Sequence, residues 1–319
     1  MNRIDRESRI VVIGGGTGLS VLLKGLKKLT TNVTAVVTVS DDGGSSGRLR
    51  AELGVLPPGD IRSCLVALAD TETLMDEVIQ HRFQTGEGLK GHSLGNLLLV
   101  AMTEITGDFI TAIKEVSKVL KVRGNVLPAT LEHVTLKALM SDGKMVSGET
   151  LIRNYKYKIE RLFLKPEYCR PVPETLNAIR DADAIIVGPG SLYTSIIPNL
   201  LVDGVVDAIA DSNAVTMYVS NIMTEQGETD DFTAYDHLKV ILEHINKQIF
   251  NYVIMNSGNI DKYRLERYKE EKAIPVRKAL QEINDLGVKV IEEDLVSQAD
   301  FAWHDSDKLA KVIMKTIGR

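Results

Sequence analysis

Short, mostly apolar runs, rich in β-branched side chains and not alternating with polar residues along their length, recur at positions 10–13, 33–39, 184–187, 214–219, 252–255 and 288–291, the last interrupted by Lys289. A strand with one wet face alternates apolar and polar residues, so unbroken runs mark strands covered on both faces. Between most of them the apolar positions fall at helical spacing, as in Leu19, Leu22, Leu23 and Leu26, or Leu238, Ile241, Leu242 and Ile245. Strand–helix alternation of this kind predicts an α/β, Rossmann-like, doubly wound and mostly parallel sheet with helices on both faces. The regularity breaks at about 86–165. A helical stretch at 93–121 precedes alternating runs at 129–139, 144–149 and 157–164, with Asp142-Gly143 suited to a hairpin turn. This pattern predicts two helices and an antiparallel sheet, an inserted α+β lobe inside a single domain spanning 1–319.

Composition narrows the classes. With 319 residues, 44% hydrophobic and 25% charged, the chain is neither disordered nor a disulfide framework. The net charge of −5 argues against a nucleic-acid partner, because no basic field faces a phosphate backbone. Cys64 and Cys169 stand far apart with no metal-ligand spacing, which suits a reducing compartment. No apolar run approaches the ~18 residues of a membrane span, and residues 1–9 lack an apolar signal core. The expectation is a cytoplasmic protein with no membrane span; whether it forms a homo-oligomer stays open.

The first predicted strand runs into Gly14-Gly15-Gly16-Thr17-Gly18 and then an amphipathic helix. Glycines at such a turn let backbone N–H groups and the positive end of the helix approach a phosphate. The match to a dinucleotide fingerprint is partial, since Leu19 stands where the third glycine belongs. The second strand ends in Asp41-Asp42. These carboxylates could take ribose hydroxyls, hold Mg²⁺ against a diphosphate, or cap a turn. Next come Ser45, Ser46, Arg48 and, after a Pro-Pro-Gly, Asp60 and Arg62. Hydroxyls and guanidinium forks at this density suit an anion-gripping flap, while Asp60 is equally placed to cap the helix from Ile61.

His92 and Asn96, at i and i+4, would share one helix face if the helix begins by residue 92. A second strand-to-turn element, Gly188-Pro189-Gly190-Ser191 with Tyr193 following, repeats the logic of the first. Asn221, just past another predicted strand, could line the same crevice from a third side. Tyr263 and Tyr268 stand among basic residues in what reads best as a charged surface helix.

The glycine turn at 14–18, Ser-Asp-Asp-Gly-Gly-Ser-Ser-Gly-Arg-Leu-Arg at 40–50, Pro-Pro-Gly-Asp-Ile-Arg at 57–62, Gly-His-Ser-Leu-Gly-Asn at 91–96 and Gly-Pro-Gly-Ser-Leu-Tyr-Thr-Ser at 188–195 resemble the YvcK group of the CofD-like family. The resemblance implies a factor needed for gluconeogenic growth and cell shape, linked to binding UDP-sugars. It also implies kinship to CofD, a transferase that moves a phospholactyl group from a guanosine diphosphate donor to a deazaflavin with Mg²⁺. Asp41 and Asp42 fall on that enzyme's acidic pair, Asp60 on the following block, and residues 188–195 on its second phosphate-side loop. No deazaflavin side is recognisable here.

Three functions follow in order. The first is a regulatory protein whose small-molecule ligand is a nucleotide, either a UDP-sugar or an NAD-like dinucleotide. The second is a Mg²⁺-dependent transferase using a nucleoside-diphosphate-linked donor. The third, an NAD-dependent dehydrogenase, is weakened by Leu19 and by the lack of an acid–base candidate beyond His92.

Overall fold

A computed structural model of the chain describes residues 8–70, 73–268, 270, 272–299 and 301–318. Its centre is a parallel sheet of seven strands. These are β1 (Ile10–Gly14), β2 (Val33–Val37), β3 (Asn125–Pro128), β7 (Ala184–Val187), β8 (Val215–Val219), β9 (Tyr252–Asn256) and β10 (Lys289–Glu293). Their order across the sheet is β10-β9-β8-β7-β1-β2-β3. All residues of β1 and β7 are buried, as unbroken apolar runs require of strands covered on both faces.

The chain winds outward from β1 in two directions. From β1 it passes through α1 (Gly16–Leu26) to β2, and later returns to β7 on the other side of β1 before running to β10. Right-handed crossovers that advance in opposite directions place their helices on opposite faces. One layer contains α1, α3 (Gly59–Leu68) and the C-terminal α14 (Ser306–Ile317), which pack on each other. The other contains α8 (Pro173–Arg180), α10 (Val205–Asp211) and α11 (Ala234–Ile245). The reversal of strand order falls between β1 and β7, and both strands end in glycine turns. Ligands of doubly wound sheets bind at such a switch point.

The stretch 86–165 supplies two helices, α5 (Leu94–Thr106) and α6 (Phe109–Val119). It then supplies a three-stranded antiparallel sheet of β4 (Thr135–Met140), β5 (Met145–Ser147) and β6 (Ile159–Lys165), in the order β5-β4-β6. β4 alternates between buried and half-buried positions, and Asp142-Gly143 makes the hairpin turn with Gly143 at φ +81°. The alternating run expected at 129–139 divides, however. Its approach, Asn125–Pro128, is β3, an edge strand of the main sheet beside β2, and β4 begins only at Thr135. Edge placement suits Pro128, which has no N–H to give a further strand. The lobe therefore encloses one strand of the main sheet.

Candidate functional site

Two turns meet at the switch point. The first opens α1. Gly15 precedes the helix with extended backbone, and Gly16 sits at φ +64°, a conformation that favours glycine. The second, Gly188-Pro189-Gly190, leaves β7 and leads through a single π-turn, Leu192–Ile196, into α9 (Ile197–Leu200). The turns are packed back to back. A Cβ on Gly18 would lie 2.7 Å from the Pro189 carbonyl oxygen, so no other residue fits there without moving backbone. The buried Asn199 amide ties them, donating to the Gly14 carbonyl at 2.9 Å and to the Ser195 carbonyl at 2.7 Å. Above them lies a crevice of about 610 Å³ whose walls include Gly15, Gly16, Thr17, Gly18, Asp41, Asp60, Gly190, Ser191 and Asn221.

Asp60 departs from its expected part. α3 begins at Gly59 after Pro58, so Asp60 lies in the first turn and makes no cap. Its carboxylate instead accepts the Gly16 backbone N–H, while burial and the neighbouring Asp41 push its pKa up to about 6. One Asp41 oxygen accepts the Gly43 N–H at 2.8 Å. Facing them is Glu149, which opens the short helix α7 (Glu149–Arg153). Burial first, then Asp41 and Asp60, push Glu149 up to about 8. The alternating run at 144–149 reads Glu149 as the end of a strand, but Gly148 at φ +100° ends β5 and begins α7 there.

On the second turn, Gly190 N donates to the Asn221 side-chain Oδ1 at 3.3 Å, and the Asn221 amide Nδ2 donates to Glu225 at 3.1 Å. The Ser191 hydroxyl donates to the other Glu225 oxygen. Arg153 reaches into the crevice and pairs at 3.2 Å with the buried Glu228, whose carboxyl is raised by burial and by Glu225. The far wall holds Tyr268, Trp303 and His304. Burial lowers His304 to about 4, so its ring is neutral at pH 7, and its Nε2 has no hydrogen-bond partner among the described residues. Glu149, Arg153, Trp303 and His304 were not among the residues expected from sequence. Each lacks a motif of its own, and the fold alone brings them to the sheet edge.

Other expected site residues stand elsewhere. Ser45 hydrogen-bonds His92 Nδ1 at 2.9 Å and accepts the Asn96 amide at 3.1 Å, all three side chains being buried. The helix begins at Leu94 with Ser93 as its cap, so His92 lies outside it and the shared face at i and i+4 does not form. Burial and Arg48 lower the His92 pKa. Ser46 accepts the Gly59 N–H at 3.1 Å and braces the start of α3. Arg48 donates to the Lys90 carbonyl at 2.7 Å, and Arg62 to the Ser63 hydroxyl at 3.0 Å. Asp42 accepts both the backbone N–H and the hydroxyl of Thr150, at 2.9 and 2.7 Å, fastening the loop after β2 to the lobe. Gly188 is packed against the Val219 carbonyl. Tyr193 is buried edge-on to His244, and burial raises its hydroxyl pKa. Tyr263 is exposed on α12 (Lys262–Tyr268), as a charged surface helix implies, whereas Tyr268 reaches the crevice.

Among the described residues no three His, Cys, Asp or Glu side chains form a metal cluster, and no single helix is long and apolar enough to cross a membrane. Mg²⁺ does not require such a cluster, because it is often held by one or two carboxylates plus the phosphates of its ligand. Asp41 and Asp60 fit that arrangement. Asp42 fits it less well, because it does not line the crevice and both the N–H and the hydroxyl of Thr150 already hold one of its oxygens.

Comparison with known proteins agrees with this architecture. The model of the family described as 2-phospho-L-lactate transferase CofD matches residues 10–296. A gluconeogenesis factor from Bacillus subtilis is 49% identical over 312 residues, covering 98% of each chain. One from Listeria monocytogenes is 42% identical over 311 residues, covering 97% of this chain and 96% of that one. A crystal structure of a upf0052 family member from Bacillus halodurans superposes with a TM-score of 0.94 at 49% identity, covering 97% of this chain and 99% of the other.

Proposed function

We propose, for a chain that belongs to the CofD family, that the crevice between the β1 and β7 turns binds a nucleoside diphosphate-linked ligand, a nucleotide-sugar or a dinucleotide. On this reading the protein is a cytoplasmic regulator required for gluconeogenic growth and for cell shape. The observation that carries the binding is the coincidence of two glycine turns with the reversal of strand order. The N-terminus of α1, beyond the Gly16 amide that Asp60 already holds, supplies N–H groups for phosphate, and the Trp303 indole, half-exposed at the far wall, supplies a surface on which a base can stack. The gluconeogenic role rests on the names of the relatives from Bacillus subtilis and Listeria monocytogenes.

The crevice carries more carboxylates than cations. Asp41, Asp60, Glu149 and Glu225 face Arg153, whose charge is shared with Glu228. A diphosphate is repelled by such walls unless protons or a metal ion offset them. Asp41 and Asp60 are the residues that would hold Mg²⁺ arriving with the diphosphate, and the ion would supply charge neutralisation there.

A second reading, a CofD-like transferase, is favoured by one specific observation. Asp60 at about 6 and Glu149 at about 8 are carboxyls tuned toward neutral pH beside the expected phosphate position, the condition for moving a proton there. His92, the only acid–base candidate read from sequence, does not line the crevice. A calorimetric titration with UDP-sugars, GDP and NAD, with and without Mg²⁺, tests the binding. Saturable binding of one class supports it, and no heat or stabilisation from any of them at millimolar concentration overturns it. Assay of the same mixtures for released nucleotide separates regulator from transferase.

A further inference from the structure

Each glycine turn is met by a carboxylate of the chain itself, and the two carboxylates are held differently. At the first turn Asp60 accepts the Gly16 N–H from a fixed place on α3, which packs on α1. At the second turn the carboxylate is Glu225. One of its oxygens accepts the Ser191 hydroxyl and the other accepts the Asn221 amide at 3.1 Å, while Asn221 Oδ1 takes the Gly190 N–H at 3.3 Å. The donors of this turn that line the crevice are therefore spent within the chain. Carboxylate and phosphate present the same kind of charged oxygen acceptor, so Glu225 stands where the oxygens of an anionic ligand would be received.

Glu225 is carried by a loop whose shape does not depend on its carboxylate. Glu228 N and Thr229 N donate to the Glu225 carbonyl at 3.1 and 2.9 Å, and Glu225 N donates to the Thr229 hydroxyl at 2.9 Å. Thr224 fastens the start of the loop to Ile274 by hydrogen bonds of 2.8 and 3.0 Å. The Glu225 residue is half-buried at the crevice wall, and rotation of its side chain alone frees Ser191 and Asn221 while the backbone bonds of the loop persist. A phosphate oxygen and this carboxylate cannot share those donors, because like charges at hydrogen-bond distance repel.

We infer that Glu225 is a built-in surrogate anion: it closes the second turn and must swing away before a ligand's phosphate can take Ser191 and Asn221. This inference rests on the nucleotide reading above and adds a form of regulation to that site, a competition between the ligand and a tethered carboxylate. Such a competitor weakens the apparent affinity in proportion to the fraction of time the turn is open.

The test is calorimetry on the full chain with inorganic pyrophosphate and UDP as probes at one fixed Mg²⁺ concentration. Glu225→Ala is expected to bind both probes about tenfold more tightly than the wild type, the gain for a turn closed about nine-tenths of the time. Glu225→Gln, which keeps the size of the side chain and removes its charge, should gain about threefold and is the safeguard should the alanine variant fold poorly. Glu225→Asp separates a lock from simple repulsion. It keeps the charge but is one methylene too short to hold both donors, so it should also bind about threefold more tightly. If the alanine and glutamine variants gain affinity and the aspartate variant does not, Glu225 only adds negative charge to the crevice and the lock is overturned. If all three variants bind the probes as the wild type does or more weakly, Glu225 is a brace for Ser191 and Asn221, and the lock is overturned while nucleotide binding stands. If neither the wild type nor any variant binds either probe, the nucleotide reading falls and the lock falls with it.

Discussion

The turns at 14–18 and 188–191 and the knot of Ser45, His92 and Asn96 look alike in sequence: small and polar residues packed at a density that suggests ligand. In the fold they are opposites. The turns stand at the open edge of the sheet, and Gly15, Gly16, Gly18 and Gly190 line the crevice. The knot is buried, with Ser45 bonded to both His92 and Asn96 and the Asn96 Oδ1 without a partner among the described residues, and it fastens the loop after β2 to the segment that opens α5. Arg48 and Asp42 extend that bracing, to Lys90 and to Thr150. Polar density therefore marks two different needs. One is for groups left free to meet a ligand, and the other is for groups that hold the loop carrying Asp41 in position.

Substitutions in the two regions should separate these roles. Gly18→Val should have the largest effect, since its Cβ would meet the Pro189 carbonyl at 2.7 Å and force the two turns apart. Loss of ligand-induced stabilisation is expected, together with about 2–3 kcal/mol of folding stability, measured by thermal shift and chemical denaturation. A folded Gly18→Val protein that still binds the ligand would break the placement of the phosphate site.

In the knot, Asn96→Leu and Ser45→Ala should each cost about 1–3 kcal/mol, because a buried partner is left unsatisfied. Ligand affinity should change less than twofold in the fraction that remains folded. Arg48→Ala should behave in the same way at smaller cost. If any of these variants folds with unchanged stability yet loses the ligand, the knot is part of the site and the contrast fails.

A pH titration of stability probes the crevice walls. Asp60 and Glu149 have folded-state pKa values raised to about 6 and about 8, above the usual 3.8 and 4.5, so the folded state binds the extra protons. Their stabilising effect is complete below the unfolded values and is lost as pH rises through the folded ones. These two carboxyls should therefore contribute less stability as pH rises from about 4 toward 8, while His304, lowered to about 4, works in the opposite sense below its unfolded value. Glu149→Gln should flatten the portion between pH 6 and 8, by at most about 1.4 kcal/mol per pH unit. An unchanged slope in that variant would mean that Glu149 is ionised like an ordinary surface carboxylate.

The smallest expected signal is optical. Trp303 is the only tryptophan in the chain and stands at the far wall of the crevice. Ligand binding should shift or quench its emission, with Gly18→Val abolishing the change and Asn96→Leu preserving it. Emission that ignores a ligand detected by calorimetry would place the base away from Trp303.

Much of this protein is determined locally. The inner strands were legible because burial on both faces demands largely apolar runs, whereas β10, at the sheet edge, leaves Lys289, Glu292 and Glu293 exposed; the glycine turns were legible because left-handed or closely packed backbone demands glycine, as at Gly16 and Gly18. Asp41 and Asn221 were legible because each lies in the loop just beyond the carboxyl end of a strand. The exceptions were decided by tertiary structure. Strand order placed the two turns side by side, and no run of residues encodes which strand neighbours which. Asp60 is a helix-start residue by sequence, yet it reaches across to the Gly16 amide because α3 packs on α1. Glu149, Arg153 and His304 are separated by up to 155 positions in the chain and share a crevice only after the lobe and the C-terminal segment fold back on the sheet edge. Backbone conformation and burial are properties of neighbouring residues and leave a pattern in the sequence. A site built from distant side chains depends on the relative placement of whole elements, which packing sets and no local pattern records.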